Sequence, residues 1–167
     1  MTHRVLGIDP GLALTGWGVV DSSGTRHSHV DHGMIVTAPK DSSAGRLRTL
    51  YHELLALISA FSPEGMGIES LYFTRNISSA IPVAQARGVA LLAAAEHNLI
   101  VKEFSPLTIK QSVVGTGGGE KHQVQEMVRL LLGLKEIPKP DHSADALAVA
   151  ITFLHHGSLW LTASAAH

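Results

Sequence analysis

Three strand-like stretches separated by short turns open the chain. The apolar runs RVLGID and TGWGVVD predict two buried strands at residues 4–9 and 15–21, and RHSHVDHGMIV alternates over residues 26–36 as a more exposed strand does. The connection SSGT between the second and third stretches is typical of a tight turn. Strands joined by turns this short pair antiparallel, so the chain is predicted to begin with a three-stranded meander.

The pattern then changes to helices that alternate with strands. Apolar residues recur at helical spacing from Leu47 to Phe61, which predicts a helix capped by Asp41 or Ser42 and followed by Pro63. The later predicted elements are the strand GMGIES, the helix SSAIPVAQARGVALLAAAEH, the strand LIVKEF, and the helices GEKHQVQEMVRLLLGL and HSADALAVAITFLHH, the last starting at Pro140 with Asp141 or Ser143 as its cap. Strands that alternate with helices pair in parallel. We therefore expect an α/β fold with a five-stranded mixed sheet, three antiparallel strands and then parallel strands, flanked by helices.

Acidic side chains stand at the ends of two of these strands. Asp9 ends the first strand and Glu69 ends the fourth, and neighbouring strands lie about 5 Å apart. Asp145 lies near the start of the last helix, and His142, three residues before it, can face the same way. If the two strands are adjacent, the four side chains can converge on one point. Each acid taken alone is better explained as a turn, solvated or helix-dipole residue.

A converging set of carboxylates needs a cation, because close negative charges repel. Mg²⁺ prefers oxygen ligands and usually retains water or phosphate oxygens. Two such ions, roughly 3.5–4 Å apart, can bind the attacking and leaving oxygens of a phosphoryl transfer. The constellation suits metal-assisted hydrolysis of a phosphodiester.

Composition limits the other possibilities. The chain has 167 residues, 45% of them hydrophobic, which suits one domain, expected over residues 1–156 with a mobile tail at 157–167. Cysteine is absent, so disulfides and thiolate metal sites are excluded. The net charge of −1 means that any nucleic acid must be held by local patches. No apolar run is expected to reach the length that spans a bilayer, and no signal peptide is expected, so a cytoplasmic protein fits best.

Five stretches make the sequence similar to a known family. RVLGIDPGLALTGWGVVD, IESLYF, AQARGVALLAAAE, FSPLTIKQSVVGTGGGEKHQVQEMV and HSADALAVAITF resemble the RuvC family of Holliday-junction resolvases in order and spacing, up to about His156. The resemblance implies a ribonuclease-H-like fold, a homodimer and Mg²⁺-dependent cutting of four-way DNA junctions, with two ions per site and Mn²⁺ as a substitute. It further implies symmetric paired nicks that leave 5′-phosphate and 3′-hydroxyl ends, and RuvA and RuvB as partners.

The resemblance also implies the residues of the active site. In the family, two acids at the positions of Asp9 and Glu69 join a pair spaced like His142 and Asp145. We expect these four residues to be catalytic and to hold the metal, with Asp9 bridging both ions. Many members carry Asp where this chain has His142, and Asp141 stands one place earlier as an alternative ligand. Whether His142 binds metal or acts as a proton donor stays open.

Two stretches are expected to bind DNA. LYFTRN follows the fourth strand, where Tyr72 and Phe73 can stack on bases and Arg75 can meet a phosphate. Lys110 and Lys121 flank a glycine-rich run and have the family's spacing, so they can bind phosphates as point charges. Without the family, a core position for Phe73 and a solvated surface position for either lysine explain these residues as well.

The helix that contains AQARGVALLAAA is rich in small residues. Gly88 lets another helix pack closely, which suits a dimer seam. Packing of Gly88 against the protein's own sheet is an equally good explanation without the family.

Three other functions stay open at this point. A general RNase H-like nuclease for linear DNA or hybrids would use the same acids. A junction-binding module without catalysis would gain nothing from a full set of acids, because clustered carboxylates repel DNA. An actin-like ATPase shares the expected sheet and a loop like DPGLALTG, but it needs two such domains.

Overall fold

The computed structural model describes residues 1–70 and 76–157. In chain order its elements are β1 (His3–Asp9), β2 (Leu14–Ser23), β3 (Arg26–Val36), α1 (Ser43–Phe61), β4 (Gly65–Glu69), α2 (Ile77–Glu96), β5 (Ile100–Phe104), α3 (Pro106–Val114), α4 (Lys121–Leu131) and α5 (Asp141–His155). The strands form a sheet in the order β3-β2-β1-β4-β5. β1, β2 and β3 pair antiparallel, and β4 is parallel to both β1 and β5, so the predicted mixed sheet is confirmed. Most of the predicted tail, residues 158–167, lies outside the described residues.

Helices cover both faces of the sheet. On one face, α1 and α2 enclose a buried cluster that includes Leu6, Ile8 and Leu54. On the other face, α3, α4 and α5 pack around Val5 and Phe153. Neighbouring residues of β1 point to opposite faces, so a strand that is buried on both sides must be apolar throughout. This explains the uninterrupted apolar run before Asp9.

α5 lies very close to the sheet because glycines occupy the strands beneath it. A Cβ atom built on Gly7 of β1 would lie 2.0 Å from the carbonyl oxygen of Ala146. A Cβ atom built on Gly18 of β2 would lie 2.6 Å from the side chain of Leu147. Gly7 and Gly18 are direct partners across the two strands. At this pair the sheet has no side chains, so α5 packs directly against the strand backbones.

One helix, α3, was not predicted. Ser105 caps it through its side chain, Pro106 is its first residue, and Gly115 ends it at a left-handed φ of 90°. These are ordinary start and stop signals. Ile109 and Val113 are its buried residues, so the apolar pattern is short and weak. The capping residues at its two ends therefore indicate this helix better than its apolar periodicity does.

The start of α5 also differs from the prediction. The helix begins at Asp141, and neither Asp141 nor Ser143 caps it. The Ser143 hydroxyl instead donates to the carbonyl oxygen of Gly33 in β3 over 2.8 Å. The Asp141 carboxylate lies 3.3 Å from Nζ of Lys121 in α4. Both side chains tie α5 to other elements, so tertiary contacts replace the expected local cap.

α2 is more apolar than the sequence analysis allowed. By length and composition its 20 residues could cross a membrane, with a mean hydropathy of 1.3 and 22% of the apolar window buried. The expectation that no apolar run reaches this length is therefore wrong by these criteria. Packed helices of globular proteins meet the same criteria, so they are weak evidence for a membrane. Here the buried residues are Ala86, Ala90, Ala93 and Ala94, and α2 contacts α1, β4 and β5.

We expect Gly7→Ala to lower the free energy of unfolding by about 3 kcal/mol or more, because the new methyl group would overlap the backbone of α5. Urea denaturation followed by circular dichroism measures this change. Gly118→Ala is the matched control, since a Cβ atom there meets nothing within 4 Å. A Gly7→Ala protein as stable as the wild type would show that α5 can move away from the sheet without cost.

Candidate active site

The carboxyl ends of β1 and β4 bring two acidic side chains together. The strands are parallel neighbours, with Ile8 opposite Ile68. Asp9 and Glu69 are the next residues of their strands, so both lie at the same edge of the sheet. The adjacency of the first and fourth strands, which was the condition for the acids to converge, is therefore met.

The first turns of α5 add His142 and Asp145 to this edge. Ligand atoms of Asp9, His142 and Asp145 all lie within 4.8 Å of one another. Nδ1 of His142 is 2.9 Å from Oδ2 of Asp9. Because a carboxylate can only accept, Nδ1 carries a proton, and Nε2 is the ring nitrogen left for another partner.

A glycine of β2 allows this approach. Gly16 is the direct partner of Asp9 across β1 and β2. A Cβ atom built on Gly16 would lie 2.1 Å from the carbonyl oxygen of His142, so a side chain there would push the start of α5 away from Asp9. Sequence reasoning missed this role of Gly16. The available signal was the repeat GWG, which places Gly16 and Gly18 on one face of a strand.

Burial and the neighbouring carboxylates raise the pKa of Glu69 and of Asp145. Burial, and then the charges of Asp9 and Asp145, raise the pKa of Glu69 to about 8, against the opposing charge of Lys110. Burial and the charge of Asp9 also raise the pKa of Asp145, against the opposing charge of Lys121. Without a metal, Glu69 therefore keeps its proton at neutral pH and hydrogen-bonds with Asp9.

This set of donors fits a hard divalent cation. Oxygen and nitrogen ligands about 2.0–2.1 Å from one Mg²⁺ ion lie within roughly 4 Å of one another. Asp9, His142 and Asp145 offer ligand atoms within 4.8 Å of one another, which is close to that spacing. Carboxylates outnumber the imidazole, which favours Mg²⁺ or Mn²⁺ over softer metals. A bound cation would also remove the repulsion that keeps Glu69 protonated.

Lysines line one side of the site. Lys110 and Lys121 share a cleft of about 190 Å³ with Glu69 and Asp145. The charge of Asp145 is the largest cause that raises the pKa of Lys121. Asp141, the alternative metal ligand, pairs with Lys121 and is not part of the group within 4.8 Å. The two lysines thus place positive charge beside the acids, where a phosphate would approach.

The remaining residues expected to bind DNA follow β4. Tyr72, Phe73 and Arg75 lie outside the described residues, so their contacts stay predictions. The backbone N–H of Ser70 donates to the carbonyl oxygen of Phe104 over 2.8 Å, which holds the chain against β5 directly after Glu69.

Comparison with known sequences finds relatives over almost the whole chain. The model of the family described as crossover junction endodeoxyribonuclease RuvC matches residues 5–153. The chain is 50% identical over 151 residues to the protein of that name from Heliobacterium modesticaldum, covering 90% of this chain and 93% of the relative. It is 47% identical over 154 residues to the protein of that name from Alkaliphilus oremlandii, covering 92% and 94%.

A solved structure agrees with this likeness. The fold is similar to that of Thermus thermophilus RuvC in complex with a Holliday junction substrate, with a TM-score of 0.89 and 34% sequence identity over 95% of this chain and 96% of that chain. The resemblance noted in the sequence, and the ribonuclease-H-like fold that it implies, are therefore confirmed.

We expect the metal-free wild type to lose stability as the pH rises. The Glu69→Gln variant should not show this loss, because it lacks the carboxyl group that titrates. The pKa of Glu69 rises from 4.5 to about 8 on folding, so this group favours folding below pH 4.5 and loses that contribution as the pH rises to 8. The stability of the wild type relative to the variant should fall across this window, by up to about 1.4 kcal/mol per pH unit.

Urea denaturation in EDTA, repeated at steps across this pH window, measures the difference. Glu53→Gln, which alters an exposed carboxylate on α1, is the matched control and should follow the wild type. Parallel curves for the wild type and Glu69→Gln would contradict the raised pKa.

Proposed function

The chain belongs to the RuvC family of crossover junction endodeoxyribonucleases, and we propose that it resolves four-way DNA junctions with the acids of this site as its catalytic groups. The observation that carries the proposal is the convergence of Asp9, His142 and Asp145 beside Glu69. The relatives named above are junction endonucleases, and one solved relative is bound to a Holliday junction. The proposed products are symmetric paired nicks with 5′-phosphate and 3′-hydroxyl ends.

Asp9, Glu69 and Asp145 would hold the two Mg²⁺ ions that we propose for this site, and Mn²⁺ would substitute for them. Bound ions of this kind supply an activated water and neutralise charge on the leaving oxygen. Glu69 must release its proton before it can act as a ligand, since its pKa is about 8 without metal. Asp9 accepts the Nδ1–H of His142, which fixes the orientation of the ring. Nε2 is then free to bind metal or, when protonated, to donate to the departing oxygen.

Lys110 and Lys121 are the proposed phosphate contacts of the cut strand. DNA and the acids of the site are both negative, so the strand reaches the acids only if local cations compensate. Both lysines line the cleft that contains Glu69 and Asp145, which supports this role. The net charge of −1 gives the chain no overall attraction for DNA.

We expect Asp9→Asn to reduce cleavage of a labelled four-way junction by at least about 100-fold, because loss of an outer-shell metal partner alone costs about 10–100-fold. Junction affinity should stay equal or improve, since one negative charge near the DNA is removed. Gel electrophoresis of the products with Mg²⁺, and binding in EDTA, measure the two effects.

Asp41→Asn, at an exposed position before α1, is the matched control and should cut normally. A linear duplex of the same sequence is tested in parallel. Retained cleavage by Asp9→Asn would remove Asp9 from the mechanism. Equal cutting of the linear duplex by the wild type would make the protein a general nuclease, and tight junction binding without any cutting would make it a binding module.

We propose that the functional unit is a homodimer joined through α2. Ile77, Ile81, Gly88 and Leu92 lie on one face of this helix, and we call them the α2 stripe. The three large side chains are 67%, 52% and 53% exposed in chain order. A Cβ atom built on Gly88 would meet nothing within 4 Å, so packing against the protein's own sheet is not the reason for this glycine. An exposed apolar stripe with a small residue at its centre suits a second copy of the same helix across a two-fold axis.

We expect Gly88→Glu to convert the dimer into monomers, because the new carboxylates would meet across the axis. Sedimentation velocity at micromolar concentration measures the mass. Gly118→Glu, at an exposed loop position, is the matched control and should stay dimeric. A Gly88→Glu protein with the mass of a dimer would place the seam elsewhere.

Two further parts of the proposal rest on membership of the RuvC family. The branch-migration proteins RuvA and RuvB are the proposed partners that deliver junctions to the dimer. The cytoplasm is the proposed location, because chromosomal junctions form there.

A further inference from the structure

A second depression adjoins the catalytic residues on the face of the sheet that α1 and α2 cover. It has a volume of about 440 Å³ and is lined by residues 11–14, by Arg46 of α1, by Pro82 and Val83 of α2, and by His142. We call it the Arg46 groove. The cleft lined by Lys110 and Lys121, which we call the lysine cleft, instead lies among α3, α4 and α5, on the other face. His142, bonded to Asp9, is the boundary between the Arg46 groove and the acids.

Arg46 is held in place by one edge of its guanidinium. Its Nε donates to Oγ1 of Thr37 over 2.8 Å, and that hydroxyl donates to the carbonyl oxygen of Leu12 over 2.5 Å. The backbone N–H of Thr37 also donates to the carbonyl oxygen of Ala13 over 3.1 Å. These bonds fix the half-buried guanidinium to the loop that forms one wall of the groove.

The other edge of this guanidinium has no partner within residues 1–70 and 76–157, because no hydrogen bond or ion pair reaches its Nη atoms there. Arginine binds phosphate best with two parallel N–H donors, and an immobilised guanidinium loses little further entropy when it does so. An anion is therefore the ligand that Arg46 is prepared to bind.

The walls of the groove add a second requirement. Leu12, Ala13 and Leu14 face Pro82 and Val83, so the ligand must also present an apolar or aromatic surface. The groove volume lies in the range of roughly 300–1,000 Å³ that is usual for ligand pockets. A nucleotide combines both features, since its phosphate can meet Arg46 while its base or sugar packs against the walls.

We propose that the Arg46 groove is a nucleotide subsite for the strand that is cut, and that Arg46 binds a phosphate flanking the scissile one. The subsite rests on the proposed junction cleavage. The scissile strand then runs from the lysine cleft, across the acids, into the groove. Pro82 and Val83 are turned away from the α2 stripe on the helix, so the proposed dimer leaves the groove open to DNA.

The test is a double-mutant cycle between the protein and single phosphates of the junction. Each phosphate near the cut is replaced in turn by an uncharged methylphosphonate, and binding is measured in EDTA by fluorescence anisotropy. For one flanking position we expect wild-type affinity to fall about 10-fold, as loss of a charge-assisted hydrogen bond predicts. Arg46→Ala should bind about 10-fold more weakly than the wild type, show no further loss at that position, and have a salt slope lower by roughly one.

Two other variants separate the subsite from general effects. Arg48→Ala removes the same charge from an exposed position on α1 and should couple to no phosphate. Arg46→Lys keeps a charge but lacks the fork, so it should recover part of the affinity at the same position. Thermal melting of Arg46→Ala checks that loss of the bond to Thr37 has not unfolded the loop.

The base contact is tested in the same way. An abasic nucleotide beside the coupled phosphate should weaken binding by the wild type. It should weaken binding by Leu14→Ser less, because the polar serine side chain already removes apolar surface on which a base would pack. Equal effects on both proteins would overturn the base-binding part of the subsite.

The cycle also distinguishes failure of the subsite from failure of the proposed function. If Lys121→Ala couples to a phosphate and Arg46→Ala couples to none, the subsite is overturned and junction binding stands. If the wild type does not prefer the four-way junction to a linear duplex, the proposed function fails, and the subsite fails with it.

Discussion

The close approach of α5 to the sheet is the contact on which the rest of the catalytic end depends. Glycines at positions 7, 16 and 18 leave no side chain between the strands and the helix, so the backbone of α5 rests on the backbone of β1 and β2. Dispersion and backbone packing then fix the helix at one height and one register. His142 and Asp145 reach Asp9 only at that height. The geometry of the site thus depends on the glycines beneath α5 as much as on the acidic side chains themselves.

The same approach creates an electrostatic cost. It brings the carboxylate of Asp145 toward Asp9 and Glu69, and the protein relieves part of the repulsion by keeping a proton on Glu69. Lys121 relieves another part, since Asp145 is the main reason that its pKa is raised. A divalent cation would replace both devices with a stronger one. A bound cation would therefore relieve the strain of the site, and the close packing beneath α5 holds the acids together without it.

Much of this fold follows from sequence patterns, because they report local geometry. The strands lie where their patterns predict them, and Ser42, one of two predicted caps of α1, accepts from the N–H of Gly45 over 3.1 Å. β1 and β4 are parallel neighbours, as convergence of the acids requires. Sequence patterns do not predict a residue's role where its contacts are with an element that is distant in sequence. Ser143 bonds to β3 instead of capping its own helix, and Gly16 matters only because His142 lies above it. Arg46 had no local sequence signal, because its side chain is positioned by Thr37, the residue that follows β3.

The position of the acids at the end of a central strand determines how DNA can be held. β1 has helices on both of its faces, so a DNA strand that reaches Asp9 would pass between two layers of helices. Lys110 and Lys121 supply positive charge on the α3–α5 side, and Arg46 supplies it on the α1–α2 side. In the proposed function, cations on both sides would hold a phosphodiester over the acids and resist its sliding better than cations on one side. With a net charge of −1, the chain has no overall attraction for DNA, so the proposed function requires such local placement of cations beside the carboxylates.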